Sequence, residues 1–272
     1  MAILRYLVLI FVLFFALSAS AEGGFISLKT TISIIITNRT ANVFLSIENL
    51  GNEPASSVQP AIYFLNESLY GEVKSLLGPQ SKYAANYSFF LGEIKGAYPL
   101  IAYVHYIDSN GYKFSSASVN RVIIGKTLVS DVIGKISDIN MVDKGVLTVK
   151  VKNSDNKDYN VKASIILPQE LTSEKTGEII SIKGNEEKGI AFKIHNFSAL
   201  KGSKYSVFVL LEYDKNSGHV TEILSSAISI VEQRPNNQKF DKVFWILATA
   251  LMLLLMLFTY STKDSWKKLI KK

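Results

Sequence analysis

Apolar residues follow two patterns along the chain. Between residues 25 and 232 they alternate with polar residues in short runs, whereas residues 7–17 are continuously apolar and residues 243–260 carry no charge. Alternation with a period of two puts successive side chains on opposite faces of a strand. Val43, Leu45 and Ile47 share one such face, and residues 32–36, 58–65, 100–107 and 112–118 read as further strands. Asn49, Gly51 and Asn52 supply turn residues tolerant of positive φ, and Asn110-Gly111 marks a hairpin between two of the strands. Pro54, Pro60, Pro79 and Pro99 fall in turns or at strand ends, where a missing N–H costs little. The region offers no amphipathic helix of three turns. Strands at this spacing predict a sandwich.

The same order of blocks returns about 105 residues later, which predicts two copies of one domain. Residues 147–153 match 43–49, apolar for apolar and Asn153 for Asn49. Residues 161–167 match 58–64, and Ala191-Phe192-Lys193-Ile194 falls where Ser88-Phe89-Phe90-Leu91 falls. Residues 205–213 and the following turn match 98–106 and its turn, and Ser225-Ser226-Ala227 pairs with Ser115-Ser116-Ala117. The expected fold class is all-β: two tandem Ig-like β-sandwich domains, residues 22–125 and 126–232, plus one C-terminal transmembrane helix. The short boundary near Gly125 and Lys126 implies a restricted relative orientation.

The two ends read as targeting segments. Arg5, the apolar run and the small residues Ala19 and Ala21 form a signal peptide over residues 1–21, with cleavage before Glu22; an uncleaved anchor is the alternative. Residues 243–260 are long enough as a helix, at about 1.5 Å per residue, to cross a thin bilayer. Trp245 and Tyr260 stand near its ends, where amphipathic rings favour the interface. Lys263, Lys267, Lys268, Lys271 and Lys272 follow and place the tail, residues 261–272, in the cytoplasm. In that tail Trp266, Leu269 and Ile270 share one helical face, so it reads either as an interfacial helix on anionic lipid or as an unstructured positive-inside signal. Residues 233–242 form a polar stalk.

Charge refines this picture. The net charge of +7 resides at the membrane flanks, because residues 22–241 hold 23 Lys and Arg against 22 Asp and Glu. No basic face remains for nucleic acid. With no cysteine, disulfides, thiolate metal sites and a cysteine nucleophile are excluded.

Candidate chemistry is sparse. His105, His195 and His219 are not at metal-ligand spacing, and no Gly-x-Ser-x-Gly or Gly-rich phosphate loop occurs. Asp131, Asp138, Asp143, Asp155 and Asp158 group loosely, without the alternation of a calcium loop. The expectation is no catalytic residue, no cofactor and no metal. Asn38, Asn66, Asn86 and Asn196 head sequons open to glycosylation on an external face. Tyr98, Tyr103, Tyr106 and Tyr112 cluster in one hairpin, as core and cross-strand pairs or as an interaction face for protein or sugar.

The turn Glu48-Asn49-Leu50-Gly51-Asn52-Glu53, with Tyr98-Pro99 leading to Tyr103-Val104-His105-Tyr106 and Asp108-Ser109-Asn110-Gly111, resembles the CARDB-like, NEW3-like or S-layer-related Ig-like sandwiches of archaeal and bacterial surfaces. The second copy departs from the pattern, with Asn153-Ser154-Asp155 for Asn-x-Gly and no proline after Tyr205. The resemblance implies adhesion, spacer or assembly modules and brings no catalytic residue. The functional expectation is a non-catalytic, single-pass surface scaffold that contacts membrane lipid and an envelope protein or surface glycan. The alternative is an accessory subunit of a transport, secretion or glycosylation complex whose transmembrane helix is part of the interface.

Overall fold

The computed structural model describes residues 24–126, 128–216 and 218–232, with residues 245, 246 and 249. The signal peptide, the stalk of residues 233–242, the rest of the segment 243–260, the tail, Tyr260, Lys263, Lys267, Lys268, Lys271 and Lys272 lie outside the described residues. Trp245, Ile246 and Thr249 are helical and exposed. The Thr249 hydroxyl donates to the Trp245 and Ile246 carbonyls, each at 2.9 Å. Among the described residues no helix is long and apolar enough to cross a membrane.

The described residues up to Val231 belong to one compact, all-β unit. Its first half holds β1 (Leu28–Thr37), β2 (Thr40–Asn49), β3 (Ala55–Phe64), β4 (Glu67–Tyr70), β5 (Lys74–Leu77), β6 (Lys82–Phe90), β7 (Gly96–Ile107) and β8 (Lys113–Ile124). The second half holds β9 (Val132–Ile136), β10 (Ile139–Met141), β11 (Lys144–Asn153), β12 (Tyr159–Ile166), β13 (Leu171–Ser173), β14 (Gly177–Ile182), β15 (Glu187–Asn196), β16 (Lys204–Lys215) and β17 (Gly218–Ile230). In the first half the sheet β1-β2-β6 faces strands β3, β7 and β8 across a core; in the second, β13-β15-β11-β9 faces β14-β12-β16-β17. This is an Ig-like β-sandwich arrangement.

Period-two burial builds each core. Val43, Leu45 and Ile47 of β2 point inward with Phe64, Phe89 and Leu100, and Phe64 meets Phe89 edge to face at 5.4 Å. Leu147, Val149 and Val151 of β11 do the same against Phe192, Val209 and Leu211. Each such side chain contributes roughly 1.5–3 kcal/mol by leaving water.

The strongest mark of internal repetition is polar. Asn49 and Asn153, both fully buried, end β2 and β11. Asn49 Nδ2 donates to the Glu53 and Leu77 carbonyls at 2.7 and 3.1 Å, and its Oδ1 accepts from Gly51 N at 3.0 Å. Asn153 repeats the set with the Lys157 and Lys183 carbonyls at 2.6 and 3.0 Å and Asp155 N at 3.0 Å. A buried amide with three partners welds strand end, turn and opposite sheet together. The Asn-for-Asn match read from sequence therefore has a physical basis.

Two other matches shift. Val43 pairs with Tyr87 and Leu147 with Phe192, so Tyr87 rather than Phe89 stands where Phe192 does. The slip of two residues keeps the same face, which is why composition concealed it. The second hairpin is one residue shorter, closing on Lys215 and Gly218 where the first closes on Asp108 and Tyr112. Thr221 rather than Ser225 therefore takes the place of Ser115.

Among the described residues one bridge between main chains joins the halves into a ten-stranded sheet. β7 meets β17 in parallel at Gly96 and His219. His219 N donates to the Lys95 carbonyl at 3.1 Å, and the buried Thr221 hydroxyl to the Ala97 carbonyl at 2.8 Å. Gly96 has φ +127°, and a Cβ there would lie 2.2 Å from the His219 oxygen and 2.5 Å from its nitrogen. Only glycine satisfies both demands. Gly96→Ala is expected to open this seam at a cost of about 3 kcal/mol or more, while both cores persist. Hydrogen exchange should then show protection lost at residues 95–98 and 218–222 and retained in β2 and β11.

Candidate functional site

The seam gathers His219, Glu212, Asp214, Arg121 and Glu222. Tyr98 stacks on the His219 ring at 4.6 Å and 14°. His219 Nε2 faces Glu212 Oε1 at 3.3 Å and Nδ1 faces Asp214 Oδ1 at 3.0 Å. These bonds, Glu212 foremost, raise the His219 pKa against the opposing effect of burial. With a carboxylate beside each ring nitrogen, both nitrogens of His219 are engaged, an arrangement that favours the charged ring. Arg121 of β8 adds a pairing to Glu222 of β17 at 3.5 Å.

A second clamp is made by Glu170, which has no exposed surface. Its Oε1 accepts from Ser115 N at 2.8 Å and its Oε2 from the Ser115 hydroxyl at 3.3 Å. The Ser115 hydroxyl accepts in turn from Gln169 N at 2.8 Å. Both donors to the carboxylate are neutral. Burial pushes the Glu170 pKa up, and the Ser115 bonds only partly offset it. The carboxylate thus covers part of the outer edge of β8.

Beside the second clamp, lined by residues of both halves, lies a cleft of about 720 Å³. Tyr106, Phe114 and Tyr205 form apolar walls, and Glu53, Asp108 and Lys204 line it as well. Tyr106 and Phe114 stack at 5.7 Å. Burial foremost, then Glu170, raises the Tyr106 pKa. The volume falls within the range of about 300–1,000 Å³ usual for ligand sites.

The four hairpin tyrosines do not form one face. Tyr98 and Tyr106 lie on the side of Leu100, Ala102 and Val104 and pack against the core, since the period of two returns even positions inward. Tyr103 points to the opposite side, where it meets Tyr63 edge to face at 5.8 Å and stacks on His105 at 6.1 Å. Tyr112 is 64% exposed beside the turn. The outer aromatic group is instead Tyr63, Tyr70 and Tyr103, with the Tyr63 and Tyr70 hydroxyls 3.2 Å apart. Burial foremost, then Tyr63, pushes the Tyr103 pKa up to about 12.

The remaining sequence candidates separate. Asn38, Asn66 and Asn86 are exposed. The Asn196 amide is engaged, donating to the Ala199 and Val142 carbonyls at 3.1 and 3.3 Å and accepting from Ala199 N at 2.7 Å. Among the acids, Asp131 and Asp155 both accept from the Tyr159 hydroxyl, at 3.2 and 2.7 Å, and Lys215 pairs with Asp131. Asp138 accepts from Ala227 N and pairs with Lys204, and Asp158 accepts from Gly184 N. Among the described residues no group of three or more His, Asp or Glu is placed to hold a metal. His195 faces Glu174 at 3.5 Å. Gly96, Glu170, Tyr63 and Tyr70 escaped sequence reading; an acidic residue two positions after Pro168 was the only local hint.

No protein-family model and no curated protein matches the chain. Among solved structures it is similar to Escherichia coli alpha-2-macroglobulin in its native conformation, at 8% identity and TM-score 0.31, over 74% of this chain and 17% of that one. It is also similar to a Porphyromonas gingivalis W83 protein of unknown function, at 9% identity and TM-score 0.30, over 74% of this chain and 99% of that one. Red sea bream transglutaminase matches at 7% identity and TM-score 0.25, over 73% of this chain and 31% of that one. The chain spans less than a fifth of the macroglobulin's length. Likenesses of this degree carry no activity across.

Glu170 makes stability depend on pH. Its folded pKa lies above its ordinary 4.5, so its contribution is full below about 4.5 and falls as pH rises through the folded value. His219, raised from 6.5, acts in the same direction at higher pH and is untouched by a change at Glu170. Glu170→Gln keeps an acceptor for Ser115 N and removes the buried charge. Thermal melts of the two proteins should run together near pH 4 and separate as pH rises toward 8, in favour of Gln, by about 1.4 kcal/mol per unit of pKa shift. Parallel curves would show that Glu170 is not strained by burial.

Proposed function

We propose that the chain is a non-catalytic, single-pass surface protein that presents two tandem Ig-like sandwiches, residues 22–125 and 126–232, to an envelope protein or surface glycan. In this reading the sandwiches belong with the CARDB-like and NEW3-like surface modules. The signal of residues 1–21 exports them, and residues 243–260 halt export ahead of Lys263, Lys267, Lys268, Lys271 and Lys272. The observation that carries it is this arrangement of the chain: a β-rich, near-neutral middle between an apolar run and an uncharged 18-residue segment backed by lysines.

The geometry of the middle supports a contact role. The His219 imidazole is occupied on both sides by carboxylates. The cleft and the Tyr63, Tyr70 and Tyr103 group offer surface for binding rather than a paired acid and base. Docked halves present these surfaces in one fixed arrangement, which lowers the entropy lost on binding.

The test is topology. Protease added to intact cells should digest residues 25–232 and leave a small membrane-bound fragment carrying the lysine tail. Protection of residues 25–232 until the membrane is opened would overturn the proposal.

A further inference from the structure

In the second half the edge of β16 is open over residues 204–206, and the reason is a proline. In β16 the odd-numbered residues turn their main-chain groups to β17, because Ile230 N donates to the Ser203 carbonyl at 2.9 Å and Lys204 pairs with Ser229. Even-numbered residues face β12, where Glu212, Leu210 and Phe208 meet Lys162, Ser164 and Ile166. The same register carried one step further sets Ser206 opposite Pro168. Proline has no N–H to give, and the Pro168 carbonyl accepts from Leu171 N at 3.1 Å instead. The β12 ladder therefore ends at Ile166. Among the described residues no strand meets Lys204 and Ser206 on that side; both are exposed and both line the cleft.

An open edge beside a cavity is a template for main-chain pairing. The cleft also has a charge preference. Two acids and one base line it: Glu53, which accepts from the Ser109 hydroxyl at 3.3 Å, Asp108, whose Oδ1 accepts from Asn110 N and Tyr112 N at 2.9 and 2.8 Å, and Lys204, paired with Asp138 at 3.3 Å; the neutral donors on the two acids leave their charge uncompensated. Tyr106, Phe114 and Tyr205 supply apolar walls for alternate side chains. A sugar would use the aromatic walls but not the row of main-chain donors and acceptors.

We propose that the cleft takes an extended peptide segment of a partner protein, added as a strand along residues 204–206 of β16, with a lysine or arginine side chain directed to Glu53 and Asp108. This deepens the proposed function by naming the class of partner and rests on it for where that partner is met. Main-chain pairing supplies affinity, and the acids and aromatic walls supply selectivity.

The test uses the detergent-solubilised full chain and three labelled hexapeptides: alternating Val and Lys, alternating Val and Glu, and the Val–Lys peptide with N-methylated backbone. The Val–Lys peptide should bind, and each of the others should bind at least tenfold more weakly. Ser206→Pro removes an N–H that pairs with no strand among the described residues and should weaken the Val–Lys peptide tenfold or more. Glu53→Gln should narrow the gap between the Lys and Glu peptides. The N-methylated probe keeps the test decisive if Ser206→Pro fails to fold. Equal affinity for the N-methylated peptide, no binding of any peptide at millimolar concentration, or displacement by a chito-oligosaccharide would overturn the proposal. Peptide failure with external topology intact removes this site alone, whereas inverted topology with peptide binding intact removes the surface reading alone.

Discussion

The close approach of Gly96 to the main chain of His219 is the constraint on which the rest depends. Each sandwich buries its own core. What the contact adds is relative position. It brings β7 beside β17, seats Tyr98 on His219 and sets Arg121 near Glu222. With that spacing held, the Glu170 carboxylate reaches Ser115 and the cleft between the halves keeps its walls.

The groups at the seam differ in what they contribute. The Thr221 bond to Ala97 is neutral and buried, so it favours docking at every pH. The Glu170 clamp carries a desolvated charge, and its worth falls as that charge forms. His219 is favoured while protonated between its two carboxylates. Of these, the Glu170 bonds to Ser115 cross between the halves, whereas the carboxylates beside His219 belong to its own half.

Much of the fold was legible in the sequence because its determinants are local. Val43, Leu45 and Ile47 announce an inward face by alternation alone. Asn49 and Asn153 mark equivalent strand ends, since a buried amide must stand where three partners converge. Asn110-Gly111 gave the hairpin. The seam was not legible, because Gly96 looks like any turn glycine until the chain 123 residues later is brought against it. The tyrosine cluster divides between its two alternatives for a related reason. Nearness in sequence put Tyr98, Tyr103, Tyr106 and Tyr112 together, and the pleat sent Tyr103 to the opposite side, to neighbours on other strands. Glu170 and the edge at Ser206 both follow from Pro168, whose effect depends on a register that no local motif encodes.

The claim that the seam fixes the two sandwiches is open to direct measurement, since the chain has no cysteine and spin labels attach only where cysteine is introduced. Thr31 and Lys162 are exposed strand positions, one in each half. Electron–electron double resonance on the Thr31→Cys, Lys162→Cys protein should give one narrow distance distribution. A broad distribution in the otherwise unaltered chain would show two sandwiches on a free hinge, with no standing cleft between them.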